Sequence, residues 1–302
     1  MRFHFRFIPH WKTWLMVSGL VVILAIGAFF VRGLNYGIDF TGGSQMNLKF
    51  HHAVTTTTIK TVLNQNHIAG STVVFVGTGR QNVLVTTPTI SEHERGALLT
   101  QFRQKVGQFT EISTTRVSSI IGQQTEQRAL LAVLIAIVAI ILYITVRFEW
   151  KFALSGIVAM IHDVIITVGL IALIHIQLSE YFIMAVLTIF GYSITDKIIV
   201  FDRIRENLKK KKKNDPLDEL VNTSLNQVLV RSINTSTTVA IALLALLIFA
   251  GSSIRDFALT MLIGVIVGTY SSIFVASPIW LRWHLADENK RRNPHARPAP
   301  RT

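Results

Sequence analysis

Residues 152–174 read FALSGIVAMIHDVIITVGLIALI, an apolar run interrupted by one adjacent pair, His162-Asp163. A helix needs about 20 apolar residues to cross a ~30 Å hydrocarbon core, and this run is long enough. Five other segments qualify, at about 13–31, 129–146, 181–201, 233–250 and 256–280. The fold class that follows is a membrane α-helical bundle of six transmembrane helices. Arg147 and Lys151 flank the near end of the 152–174 run, whereas His175 to Glu180 beyond it contain neither lysine nor arginine. The next connection carries Arg203, Arg205, Lys209 to Lys213 and Arg231, and the one after that only Arg255, offset by Asp256. Basic residues thus alternate with loop position, which places residues 1–12, the 202–231 loop and the 281–302 tail in the cytoplasm of a cell-membrane protein with both termini inside.

Composition agrees with lipid as the solvent. Half of the 302 residues are apolar and 16% are charged, too few charges to clothe a soluble chain of this size. The net charge of +13 sits in runs beside hydrophobic spans without interleaved aromatics. It reads as orientation signal and attraction to anionic membrane lipids, not as a nucleic-acid surface. There is no cysteine, which excludes disulfides and thiolate metal sites. The first apolar run is too long for a secretory signal core and lacks a small-residue cleavage site, so it is expected to be a retained first span.

The segment 33–128 falls between spans 1 and 2, outside the cytoplasm. Its seven basic residues between Gly33 and Gln127 do not oppose this, since long domains cross largely regardless of charge. Met46, Leu48 and Phe50 alternate as in a strand, and Ile59, Val62, Leu63 and Ile68 have helical spacing. Thr72 to Val76 and Gln81 to Thr87 read as two strands joined by Gly77-Thr78-Gly79-Arg80. Ser91 with Glu94 forms a capping box opening a helix to about Lys105, and Glu111 to Val117 reads as a last strand. The order β-α-β-β-α-β is that of an extracytoplasmic α+β ferredoxin-like domain. Within 202–231, Leu217, Leu220, Val221, Leu225 and Val228 suggest a short helix along the membrane surface, and the last dozen residues a basic disordered tail.

Ionisable residues inside spans are costly and mark function by default. Asp163 lies about eleven residues from the start of its span, or ~16 Å deep at 1.5 Å per residue. There it loses hydration, which favours the protonated acid and makes its proton exchangeable. His162 beside it reads as a helix-to-helix hydrogen-bond donor. Span 4 contributes Asp196 and, seven residues on along the same face, Arg203; Lys197 is expected to snorkel to the headgroups. Span 5 opens with Arg231, Asn234 and Thr235 in a polar run at the depth of Asp196. Together these predict a polar core on the cytoplasmic half of the bundle. Gly264 and Gly268 have the spacing of a packing motif. No enzyme motif is present: no phosphate loop, nucleophile elbow or HExxH, and no cofactor is implied.

Gly37-Ile38-Asp39-Phe40-Thr41-Gly42-Gly43 resembles the glycine signature of the SecD/SecF family. His162-Asp163-Val164, Gly191-Tyr192-Ser193 with Asp196, Asp202-Arg203-Ile204-Arg205-Glu206-Asn207 and Arg231-Ser232-Ile233-Asn234-Thr235 are similar to the SecF pattern of that family in order and spacing. The resemblance implies a Sec export subunit that pairs with SecD, associates with the SecYEG channel and uses proton flow to help move exported polypeptide. It also implies relay or gating roles for Asp163, Asp196 and Arg203, with His162, Arg231, Asn234 and Thr235 in support. The chain departs from the family at Thr195 and Lys197, and a lysine there is expected to hold Asp196 ionised. Two alternatives are a passive scaffold for the channel and a half-transporter of a small molecule.

Overall fold

The computed structural model describes residues 5–77, 79–147, 149–212 and 215–292. In chain order the elements are α1 (Trp11–Arg32), β1 (Asn35–Tyr36), α2 (Ile38–Thr41), β2 (Gly43–Phe50), α3 (Thr56–Gln65), β3 (Thr72–Phe75), β4 (Asn82–Thr87), α4 (Glu92–Lys105) and β5 (Phe109–Val117). Then follow α5 (Ser119–Arg147), α6 (Trp150–Ile174), β6 (Gln177–Leu178), α7 (Glu180–Lys209), α8 (Leu217–Phe249), α9 (Ser252–Ser271), a π-helical segment (Ser272–Ala276) and α10 (Ser277–Arg292). The chain divides into a helical unit (Met1–Leu34, Val133–Ile176, Tyr181–Thr302) and a second unit (Asn35–Ala132, Gln177–Glu180).

Six helices among the described residues are long and apolar enough to cross a membrane. The third, fourth and sixth are about half buried within the chain, while the first, second and fifth turn most of their apolar surface outward, as lipid permits. Close approach is set by small residues. A Cβ on Gly169 of α6 would fall 2.4–2.6 Å from the Cβ, O and Cα atoms of Ala25 in α1, and one on Gly264 of α9 would fall 2.3 Å from Ile189 of α7. Gly268, one turn on, faces Ser193. At one end of this unit Phe152 stacks on Trp280 with ring centroids 4.5 Å apart, and Lys151 meets Asp287 at 2.6 Å.

The connection expected at 202–231 is much shorter. Helix α7 continues to Lys209 and α8 starts at Leu217, running unbroken to Phe249. No glycine or proline interrupts residues 217–249, and Leu217, Val221, Leu225 and Val228 pack into the same apolar cluster as Ile204 and Trp280. The separate surface helix is therefore absent: its amphipathic face is the first turns of the fifth span. The tail is likewise helical through Arg292, with residues 293–302 outside the described range. Two asparagines of α8 clamp the N-terminal segment, Asn226 Oδ1 accepting from Phe5 N at 2.8 Å and Asn222 Oδ1 from Phe7 N at 2.8 Å.

In the second unit β3-β4-β2-β5 form one antiparallel sheet, so the chain order β-α-β-β-α-β is present. Met46, Leu48 and Phe50 of β2 and Val83 and Val85 of β4 point into a core closed by Ile59, Val62 and Leu63 of α3 and Leu98 and Phe102 of α4. Thr55 caps α3 by accepting from Thr58 N, and the Ser91–Glu94 capping box is formed on α4. The serine bonds hold the Glu94 carboxyl below the usual range, and the Arg95 guanidinium does the same to Glu92. Thr78, in the expected hairpin turn, lies outside the described residues. The glycine-rich stretch is a crossing point: Gly42, at φ +73°, leaves room for Ser119 Cα at 2.7 Å, and a Cβ on Gly122 would fall 2.6 Å from Phe40 O. Gly37 N donates to Leu178 O at 2.7 Å where β1 pairs with β6.

Because the groups facing Gly169 include α1 backbone, Gly169→Val is expected to destabilise the bundle by about 1–3 kcal/mol or more through overpacking. Thermal unfolding in detergent checks this, with Gly191→Ala, which meets no atom within 4 Å and is expected not to destabilise, as the control.

Candidate functional site

Burying a charge in a lipid-facing bundle requires that every hydrogen-bonding position on it be filled. Asp163 of α6 meets that requirement through three helices. Its Oδ2 accepts from Lys197 Nζ at 2.7 Å and Ser193 Oγ at 2.7 Å, both on α7, and from Ser271 Oγ at 2.8 Å on α9. Its Oδ1 lies 3.0 Å from Nδ1 of His162. Lys197 Nζ also donates to Ser193 Oγ at 2.6 Å and Ser271 Oγ at 2.9 Å. An ammonium has three N–H donors, and here three acceptors meet them. Asp163, Lys197, Ser193 and Ser271 are each 0% exposed.

Lys197 is thus neither at the headgroups nor bonded to its chain neighbour Asp196. Consecutive residues on a helix point about 100° apart, so Lys197 turns toward α6 while Asp196 turns toward α8. The expectation that Lys197 holds Asp196 ionised is corrected: its partner is Asp163, which is ion-paired and not a lone acid.

Asp196 forms a second centre. Ser232 Oγ of α8 donates to its Oδ1 at 2.8 Å, and Ser272 Oγ of the π-helical segment donates to its Oδ2. Both oxygens are held by neutral hydroxyls, and among the described residues no basic side chain pairs with this carboxylate. A hydroxyl cluster lies one turn along α8: Ser236 Oγ donates to the backbone carbonyl of Ser232 at 2.8 Å, Tyr192 donates to Ser236 Oγ at 2.9 Å, and Ser236 and Thr269 hydroxyls lie 2.6 Å apart. Pro278 has no N–H to offer the turn before it and its ring crowds the carbonyl of residue 274, a cause for the helix widening to π geometry at Ser272–Ala276. Ser277 Oγ closes the widened turn on Ser272 O at 2.9 Å.

The other sequence candidates are not brought to either carboxylate. Arg203 donates to Gln227 Oε1 at 2.7 Å and pairs with Glu206 at 2.5 Å, on a partly exposed face. Arg231, Asn234 and Thr235 lie on the exposed side of α8; only Ser232 and Ser236 from that polar run turn inward. Ser271-Ser272 escaped the sequence reading, although two adjacent serines within the sixth span were the available signal. His162 is buried, and its Nε2 has no partner among the described residues.

Comparison with known proteins places this site in a family. The model of the protein-export membrane protein SecD/SecF C-terminal domain matches residues 98–286, and that of the SecD/SecF GG motif matches residues 27–54. The chain belongs to the SecD/SecF family. Both carboxylate centres fall in the first matched segment, and the glycine crossing at Gly42-Gly43 falls in the second. The protein translocase subunit SecF of Sebaldella termitidis is 38% identical over 272 residues, covering 89% of this chain and 88% of that protein. The subunit SecF of Alicyclobacillus acidocaldarius is 36% identical over 309 residues, covering 99% of this chain and all of that one. The crystal structure of Thermus thermophilus SecDF, described as a translocon-associated membrane protein, superposes with a TM-score of 0.86 at 37% identity. That match covers 93% of this chain but 39% of the SecDF chain. This SecD/SecF family member is therefore a multi-pass membrane protein.

Asp163→Asn leaves the Lys197 ammonium buried without its counter-charge, and breaking a buried pair in this way costs about 3–5 kcal/mol. The doubly neutral Asp163→Asn/Lys197→Met protein is expected to recover most of that loss. Thermal unfolding of the three purified proteins in one detergent checks both statements.

Proposed function

We propose that this chain is a subunit of the Sec protein-export machinery that pairs with SecD and uses the transmembrane proton gradient to help draw polypeptide across the cell membrane. The observation that carries this reading is Asp196: a carboxylate buried in an apolar bundle and bonded by the hydroxyls of Ser232 and Ser272, with the hydroxyls of Ser236, Tyr192 and Thr269 clustered one turn along α8. A carboxylate with no fixed counter-cation strands no buried positive charge when it takes up a proton. The bonded serines can turn their O–H away when Asp196 becomes a donor, so both states keep their hydrogen bonds. Asp163 has the opposite design. Its counter-charge is covalently tethered, so we assign it to holding α6, α7 and α9 together and Asp196 to exchanging the proton.

Pairing with SecD is supported by the fused SecDF relative, of which this chain matches only a part, and by the polar outward face of α8 at Arg231, Asn234 and Thr235. We place both termini in the cytoplasm from the alternation of basic loops. The sheet unit then lies outside, as a ferredoxin-like domain that grips the emerging chain; SecYEG, exported polypeptide and membrane lipids are the further partners. Arg203, held by Glu206 and Gln227 at the end of α7, is assigned to positioning that end and not to the relay.

Asp196→Asn tests this reading more cleanly than Asp163→Asn, because no buried ammonium is left unpaired. Export of a secreted reporter is expected to fall at least about tenfold, the effect of losing an interaction worth 1.4 kcal/mol in the coupled step, with membrane level and SecD co-purification unchanged. Undiminished export at normal assembly would leave the passive-scaffold reading in its place.

A further inference from the structure

The Lys197 ammonium is surrounded by more than its counter-ion. Four oxygens converge on it: Asp163 Oδ2 at 2.7 Å, Ser193 Oγ at 2.6 Å, Ser271 Oγ at 2.9 Å and the Ser193 carbonyl at 3.5 Å. They come from α6, α7 and α9, and all three ligand side chains are fully buried. The carboxylate oxygen satisfies one of the three N–H donors of the buried ammonium, and the hydroxyls of Ser193 and Ser271 accept from it too. Two hydroxyls that accept from the ammonium while donating to the same carboxylate oxygen make a closed, pre-arranged shell around a cation position. Its charge is also defined. Asp163 is the only acidic ligand, so a single positive charge neutralises the shell and a divalent ion would leave an excess.

We infer that the Asp163 centre is a monovalent-cation site filled in this chain by its own Lys197. The tethered ammonium stands where a free, dehydrated monovalent cation would otherwise be bound. The ion used by the bundle is thereby excluded from this position and confined to Asp196. This deepens the ion-coupled reading, but cation binding at Asp163 can be measured without export. Lys197→Ala removes the four side-chain atoms beyond Cβ, which together have the composition of n-propylammonium. The cavity left behind should accept that ion, or Na+, against the unchanged oxygen shell.

Dicyclohexylcarbodiimide reads this directly, since it adds to protonated carboxyls in apolar surroundings and leaves a stable N-acylurea on the peptide. The full chain is treated in membranes, and the Asp163 and Asp196 peptides are quantified by mass spectrometry. In the wild type Asp163 is expected to stay unmodified. In Lys197→Ala it is expected to be labelled in tetramethylammonium chloride, an ion without N–H groups and too large for the shell. Labelling should then fall about tenfold when n-propylammonium or Na+ is raised to ten times its dissociation constant. Wild-type labelling of Asp163 overturns the inference, because the ammonium would not occupy the site. Equal labelling of Lys197→Ala in every salt also overturns it, as does failure of Lys197→Ala to accumulate where Asp163→Asn/Lys197→Met accumulates, since no free cation would then replace the tethered one. Labelling of Asp196 and the export assay report separately on the proposed function, so either can fail alone.

Discussion

A charge buried in a bundle whose outer surface is apolar must bring its counter-charge and its hydrogen-bond partners with it. The Lys197–Asp163 pair brings both, and in doing so fixes the geometry of three helices. Its acceptors and donors come from α6, α7 and the end of α9, so the three buried spans meet at one point. Dispersion between small residues brings these helices close, as at Gly264 against Ile189 and Gly268 against Ser193, but such contacts tolerate sliding. Three saturated N–H donors do not. A shift of α7 by one residue along its axis would carry Ser193 with it but part the ammonium from Asp163 and Ser271, stranding two buried charges at a cost that apolar packing does not offset.

Much of the architecture was legible because its physical causes are local. Apolar runs of sufficient length give spans, and alternation with a capping box gives the order of strands and helices in the second unit. The same local reasoning misplaced what depends on partners distant in sequence. The amphipathic stretch from Leu217 to Val228 looked like a surface helix because its periodicity ends where the fifth span begins. In the fold its apolar face has a destination, the cluster around Ile204 and Trp280, so a single helix serves both stretches. Lys197 was assigned to headgroups or to Asp196 by proximity along the chain. Helical geometry sends it the other way, and its acceptor is thirty-four residues distant.

The candidate site was half legible for the same reason. Asp163 and Asp196 announce themselves as carboxylates in apolar spans. Nothing in one sequence distinguishes their environments, since the difference lies in which hydroxyls and which amine the packing delivers. Serine is common in spans as a small residue that bonds its own backbone, and only the fold shows that Ser193, Ser232, Ser271 and Ser272 are ligands. Arg231, Asn234 and Thr235 were expected at the depth of Asp196 and Arg203 on its face, but neither depth nor face brings a side chain to a given partner, and these residues lie away from both carboxylates.

The two centres are separate in their bonds and inseparable in their framework. Asp196 and Lys197 are consecutive on α7, and Ser271 and Ser272 are consecutive where α9 passes into π geometry. Ser271 and Lys197 serve the Asp163 centre; Ser272 and Asp196 serve the other. No movement of α7 past the sixth span can alter one set of bonds and leave the other unchanged. The tethered ion pair is the stiffer of the two, because it cannot lose a partner without stranding a charge. The hydroxyl-bonded carboxylate is the softer, because gain of a proton merely reverses a hydrogen bond. In the ion-coupled function proposed above, a gradient acting on the soft centre works against a fixed pivot one residue away, and the changing bonds of Asp196 reach the widened turn at Ser272–Ala276 through Ser272 and α8 through Ser232.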